Sequence, residues 1–152
     1  MTPYEFLEKV IQTAPGIIYV YDIINNKNIY SNTDAVKQIG YTDEELRALG
    51  SNLFEAIYDQ DEIEQSKIRN SNILKCGDGD VLKVKFRIKT KSGEYKIYQG
   101  VETPFERDKN TNLPIKKIGT VIDITDQIRA EELKTGINDL KEQVSQLIKS
   151  KK

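Results

Sequence analysis

Few side chains in this chain of 152 residues suit bond-making chemistry, and the most restrictive fact is that histidine is absent. Without it there is no Ser-His-Asp or Cys-His nucleophile system, no His-ligated haem and none of the commonest zinc sites. The lone thiol, Cys76, stands beside Gly77-Asp78-Gly79-Asp80 with no imidazole to deprotonate it, so it is expected at a helix end rather than in catalysis. One carboxylate remains. Glu102 follows Tyr98 in a strand-like stretch, and as general base with the tyrosine hydroxyl as donor it would suit a small cone-shaped α+β enzyme. Solvent is the commoner place for such a carboxylate and is where Glu102 is expected, with an inward-pointing polar anchor as the alternative.

Two stretches imitate known sites without completing them. Asp108-Lys109-Asn110-Thr111-Asn112 begins like a calcium loop, but Leu113 replaces its glycine and Gly119 stands at the position of the bidentate glutamate. Thr90-Lys91-Ser92-Gly93 reads as a hairpin turn rather than a phosphate loop. Neither a catalytic residue nor a metal site is therefore assigned.

The elements that would position these groups can be read in order. Thr2-Pro3-Tyr4-Glu5 combines a capping threonine, proline at the first helical position and glutamate three residues after the cap, and so predicts a helix start. Phe6, Leu7, Val10 and Ile11 form its apolar stripe, suited equally to core packing or a dimer contact, before Pro15-Gly16 stops it. The β-branched and aromatic run 17–23, a turn at Asn25-Asn26-Lys27-Asn28 and the run 29–32 predict a hairpin. Short helices follow: 34–40, a second capping box at Thr42-Asp43-Glu44-Glu45, a piece around Leu53 and Phe54, and one from about Asp61 to Lys75.

From Val81 strict alternation takes over, with Leu82, Val84, Phe86 and Ile88 on one face and Lys83, Lys85, Arg87 and Lys89 on the other. This is a half-buried antiparallel strand. A return strand over 94–103, a polar loop over 107–114 and a last strand over 117–124 complete five. The fold class is α+β: a five-stranded antiparallel sheet with short helices on one face.

At the end, Ile118-Gly119-Thr120-Val121-Ile122-Asp123-Ile124-Thr125 runs into Asp126-Gln127-Ile128-Arg129, a β-branched run giving way to a charged helical pattern with Thr125 as its expected cap. Ala130, Ile137 and Val144 then fall at heptad position a and Leu133, Leu140 and Leu147 at d. That pattern favours a parallel two-stranded coil and hence a homodimer. With fewer than three full heptads the coil is marginal alone, so contacts from the leading helix would have to support it. Folding back onto the chain's own sheet is the alternative.

Ala14-Pro15-Gly16, Asp22, Tyr30-Ser31-Asn32, Ile39-Gly40-Tyr41-Thr42-Asp43-Glu44-Glu45-Leu46, Lys91-Ser92-Gly93-Glu94, Arg107-Asp108 and the final strand occur in the order and spacing of a PAS domain with its C-terminal motif. The chain resembles that family over most of its length. The resemblance implies a leading amphipathic helix over 1–14, a PAS domain over 15–125 and a signalling coiled-coil helix over 126–152. It implies a non-catalytic sensor and dimerisation module of a signal-transduction protein, whose sheet and helices enclose a small cavity, with Asp123 and Thr125 as the signal linker. The effector, a histidine kinase or transcription regulator, would follow the chain or act in trans. A purely structural homodimerisation domain is the further alternative.

The strand alternation and the resemblance together place Ile17, Tyr19, Tyr21, Phe54, Phe86, Ile88, Tyr98 and Val121 as candidates for the pocket wall, either as plain core or around a small-molecule ligand. The register at Tyr98 has two readings, because Ile97 and Val101 offer a rival apolar face. The cofactor is unknown. In flavin-binding photosensor relatives a Gly-x-Asn-Cys motif supplies a reactive thiol; Gly50-Ser51-Asn52-Leu53 has leucine there, and Val121 replaces their last-strand glutamine, which disfavours a covalent flavin photoadduct as firmly as the missing histidine disfavours His-ligated haem.

Composition limits the partners. Twenty-three basic against twenty-four acidic residues, net charge −1, create no field that would draw nucleic acid or an anionic membrane. The Lys149-Ser150-Lys151-Lys152 end is expected to be solvated. No apolar run approaches the ~18–20 residues of a membrane span, Met1-Thr2-Pro3-Tyr4 does not open like a secretory leader, and one cysteine cannot form an internal disulfide. A soluble, cytoplasmic protein is the expectation.

Overall fold

The computed structural model describes residues 1–151; Lys152, the last of the basic end, lies outside them. Helix α1 (Pro3–Gln12) opens with the predicted capping box: Glu5 N–H donates to Thr2 Oγ1 at 3.1 Å, and Thr2 N–H donates to Glu5 Oε2 at 2.7 Å. Its stripe is not part of the core, since Phe6, Leu7 and Val10 are all more than half exposed. The helix is tied down at its end by Asn32, whose amide donates to the carbonyls of Ile11 and Gly16 and whose Oδ1 accepts from Ile18 N–H.

Strands β1 (Ile17–Asp22) and β2 (Lys27–Ser31) form the first hairpin. Asp22 Oδ1 accepts from the N–H groups of Ile24 and Asn25, each at 3.0 Å, so the reversal finishes early and Lys27 and Asn28, expected in the turn, belong to the strand. The helical block comprises α2 (Ala35–Gln38), α3 (Asp43–Leu49), α4 (Leu53–Ile57) and α5 (Gln60–Leu74). Thr42 and Glu45 close the second capping box, and Asp59 caps α5 by accepting from Glu62 N–H at 2.9 Å. That cap sets the start of α5 just ahead of the expected Asp61.

Strands β3 (Leu82–Lys89), β4 (Tyr95–Arg107) and β5 (Pro114–Asp123) complete one sheet in the order β2-β1-β5-β4-β3, antiparallel at every pairing. Both β4 and β5 extend beyond the expected ranges. A register shift between Pro104 and Glu106 absorbs the proline, and Asp108 Oδ1 accepts from the N–H groups of Asn110 and Thr111 at 2.8 Å, which tightens the loop. The carboxylate that imitated a calcium ligand is a turn former.

The register of β4 is settled in favour of Tyr98, which is 2% exposed whereas Val101 is 39% exposed on the opposite face. Val84, Tyr98 and Val121 form the core of the inner face, with Ile17, Tyr19, Phe86 and Ile88 packed against them. Helices α4 and α5 lie over this face.

Helix α6 (Thr125–Ser150) has 26 residues, about 39 Å at 1.5 Å per residue. Every described residue from Arg129 onward is exposed, so the helix leaves its own sheet rather than folding back on it. Thr125 does not cap it: Ile124 holds the cap position and no side chain bonds there. The hydroxyl is used elsewhere, as shown below.

Candidate ligand cavity

The sheet and the helical block enclose a cavity of about 460 Å³. Period-two alternation turns Ile17, Tyr19 and Tyr21 of β1, Phe86 and Ile88 of β3, Tyr98 and Glu102 of β4, and Lys117 and Val121 of β5 toward it. Val36 of α2 and Ile39 just after it, Phe54 and Ile57 of α4, and Arg69 of α5 cover the other side, together with Tyr58. The eight residues singled out from the sequence, Ile17, Tyr19, Tyr21, Phe54, Phe86, Ile88, Tyr98 and Val121, all line this one cavity, seven from the sheet and Phe54 from α4.

Glu102 is the chief correction to the sequence reading. Expected in solvent, it is 3% exposed. Lys117 Nζ lies 3.0 Å from each of its carboxylate oxygens, and the Tyr19 hydroxyl donates to Oε1 at 2.6 Å. The row Tyr19–Gly119–Glu102 runs straight across β1, β5 and β4, and a Cβ at Gly119 would sit 2.3 Å from Cζ of Tyr19, so only glycine leaves room for the ring to reach over. The residue beyond Tyr21 in register is Lys117, whose ammonium also lies 5.2 Å from the Tyr21 ring centroid.

The electrostatics follow from burial. Desolvation and the Glu102 charge hold the Tyr19 hydroxyl far above its ordinary pKa, which keeps it a donor. Burial pulls Lys117 below the usual lysine value, with Glu102 opposing the shift. Burial likewise raises Tyr58 and, with a smaller contribution from the charge of Asp123, Tyr98. Both oxygens of Glu102 are engaged, so the arrangement is built to hold charge in place rather than to offer a free base to a substrate.

Sequence reasoning passed over Lys117, Arg69 and Tyr58. Lys117 was legible: it shares parity with Gly119 and Val121 on β5, and the alternation that placed Val121 inward places Lys117 inward too. Arg69 and Tyr58 depend on how the helical block sits over the sheet, for which no local signal exists.

The wall does not fit a covalent thiol adduct. Leu53 lines the cavity, while Cys76, the only thiol of the chain, is not on the wall; its Sγ–H donates to the Asn72 carbonyl at 3.4 Å.

Asp123 and Thr125, expected as the signal linker, sit where β5 runs into α6. Ile97, next to Tyr98 on β4, uses both backbone groups on the start of α6: its N–H donates to Thr125 Oγ1 at 2.9 Å and its carbonyl accepts from Ile124 N–H at 2.8 Å. Asp123 Oδ1 accepts from Thr125 N–H at 2.9 Å and from the Thr125 hydroxyl, while Lys96 lies 3.7 Å from Asp123 Oδ2. Ala130, Leu133, Ile137, Leu140, Val144 and Leu147 are exposed along α6, away from the cavity, with Leu133 67% exposed.

Comparison with known proteins matches these features to one family. The model of the family described as PAS fold matches residues 28–121, well over half of the chain. Among solved structures, the chain is similar to a sensory box histidine kinase/response regulator from Burkholderia thailandensis E264, at 18% identity and a TM-score of 0.58, with 93% of this chain and 99% of that chain covered. It is similar to the PAS domain of a protein from Colwellia psychrerythraea, at 16% identity and a TM-score of 0.58, covering 82% of this chain and 99% of that one. The N-terminal domain of a diguanylate cyclase with PAS/PAC sensor from Marinobacter aquaeolei aligns at 13% identity and a TM-score of 0.53, over 74% of this chain and 97% of that one. At such identities the likeness is one of fold. No curated protein matches the chain.

Proposed function

The chain belongs to the PAS fold family, and on that premise we propose that it is a non-catalytic sensor and dimerisation module whose cavity takes a small molecule and whose exit helix carries the response. The observation that supports this reading is the adjacency of Tyr98 and Ile97. One residue forms cavity wall while its neighbour grips Thr125 and Ile124 at the head of α6, so a ligand that moves β4 acts directly on the helix. Coupling of this kind requires two arrangements of α6 between which the ligand discriminates.

In this reading residues 1–14, 15–125 and 126–152 act as leading helix, sensor domain and signalling helix. The exposed seam of Ala130, Leu133, Ile137, Leu140, Val144 and Leu147 pairs with that of a second copy, and the exposed Phe6, Leu7 and Val10 of α1 add contacts that a short coil needs. The response passes to an effector of the histidine kinase or transcription-regulator class, joined to the chain or separate. Histidine kinase and diguanylate cyclase sensors among the similar structures are in keeping with such an effector. The near-neutral charge and the lack, among the described residues, of a helix long and apolar enough to cross a membrane suit a cytoplasmic module without direct nucleic-acid binding.

Native mass spectrometry of the purified chain is the test. A dimer carrying a retained small molecule is expected. A monomer without bound mass at micromolar concentration overturns the dimer and leaves the cavity reading to direct titration.

A further inference from the structure

The charged residues on the cavity wall are three cations, Lys27, Arg69 and Lys117, and a single carboxylate, Glu102. Lys117 and Glu102 neutralise each other at 3.0 Å. Arg69 is paired more loosely, with Glu62 of its own helix. Its side chain is 18% exposed and its Nη2 stands 3.7 Å from Glu62 Oε2, beyond hydrogen-bond reach.

Glu62 is held from its other side. Its other oxygen accepts from Arg87 N–H at 3.0 Å, which ties the carboxylate toward β3, and Oε2 itself is buried with no hydrogen-bond partner among the described residues. Glu62 also lies off the cavity wall, whereas Arg69 is on it. The guanidinium thus has Glu62 as counter-charge and a planar fork of donors that makes no hydrogen bond among the described residues.

Beside that fork the wall is flat and aromatic. The Arg69 guanidinium lies 5.7 Å from the Phe86 ring centroid, and Phe86 stacks on Tyr98 with centroids 5.7 Å apart and ring planes 23° from parallel. A volume of about 460 Å³ falls within the range of small-molecule sites, roughly 300–1,000 Å³.

We propose that the cavity takes an aromatic carboxylate, its carboxylate held by the Arg69 guanidinium and its ring laid against Phe86 and Tyr98. A carboxylate supplies the bidentate acceptor that the guanidinium fork lacks. The inference rests on reading the cavity as a ligand site, and it adds the chemical class of the ligand.

Isothermal titration of the purified chain with 2-naphthoate and with its neutral counterpart 2-naphthamide tests it. Naphthoate binds the wild-type chain more tightly than naphthamide does. Arg69→Gln weakens naphthoate by about tenfold to a hundredfold, the worth of a charge-assisted bond, and leaves naphthamide unchanged. Arg69→Lys, which keeps the charge but loses the fork, falls between. Ile88→Trp, which fills the cavity, abolishes binding of both. Naphthamide binding as well as or better than naphthoate, or Arg69→Gln leaving naphthoate unaffected, overturns the carboxylate assignment while the cavity reading stands. If neither probe binds, the cavity reading falls with it. Should Arg69→Gln fail to fold, the ratio of the two probes on the wild-type chain decides alone.

Discussion

The Tyr19 hydroxyl lies 2.6 Å from Glu102 Oε1, reached across the gap that Gly119 leaves between them. Three strands meet in that contact, and Lys117 completes it from the neighbouring position on β5. A buried polar cluster of this kind stabilises only while every member keeps its partner, so its parts should respond very unequally to substitution.

Glu102→Gln leaves the Lys117 ammonium buried without a counter-charge, and urea unfolding should show a loss of about 3–5 kcal/mol. The double change Glu102→Gln with Lys117→Met should recover much of it, because an apolar replacement of the pair removes the uncompensated charge. A single Glu102→Gln that costs less than about 1 kcal/mol would contradict the pairing seen here.

Gly119→Ala places a methyl where the Tyr19 ring lies. The ring must move and its bond to Glu102 must break, with an expected cost of about 1–3 kcal/mol. Tyr19→Phe in the Gly119→Ala background should then cost little more, since the bond is already lost. Additive losses in this double-mutant cycle would rule out the coupling.

Thr125→Val removes the acceptor for Ile97 N–H while keeping the side-chain shape. Hydrogen exchange read at Ile97 and over the first turn of α6 should accelerate, with a stability loss of about 1–3 kcal/mol for the unpaired donor. Unchanged protection at Ile97 would mean that the threonine does not hold the helix to the sheet.

Leu133→Asp with Leu140→Asp alters only side chains that are exposed on α6. Light scattering should report a dimer for the wild-type chain and a monomer for the variant, while the unfolding free energy per monomer changes by no more than about 0.5 kcal/mol at matched low concentration. A variant that stays dimeric would move the interface off this seam.

Asp59 has its carboxyl held below the ordinary carboxylate pKa, first by the Glu62 N–H it caps and then by Arg87. A folded pKa below the unfolded one gives stability that is present above the ordinary carboxylate range and lost as pH falls through it, from roughly pH 4 downward. Asp22, Glu45 and Asp108 are shifted the same way by their turn, cap and lysine partners. Melting temperature should therefore be steady near neutrality and drop below about pH 4. Asp59→Asn should lower it at pH 7 and make the acid drop shallower; an unchanged acid limb would remove Asp59 from the account.

The sequence by itself determined the element order, both capping boxes, the inward face of β1 and β3, and the apolar seam of α6. These are set within a few residues: caps need a side chain three positions from its donor, and alternation or heptad spacing repeats regardless of what packs opposite. Tertiary structure alone decided the rest. Tyr98 rather than Val101 faces inward because β4 pairs in register with β3 and β5. Glu102 is buried because Tyr19 and Lys117 arrive from strands distant in the chain to satisfy it, and Arg69 faces the cavity because α5 crosses the sheet where it does. Thr125 turned from expected cap to sheet anchor for the same reason: the Ile97 N–H that claims its hydroxyl lies 28 residues earlier in the chain, and no local rule anticipates a partner delivered by folding.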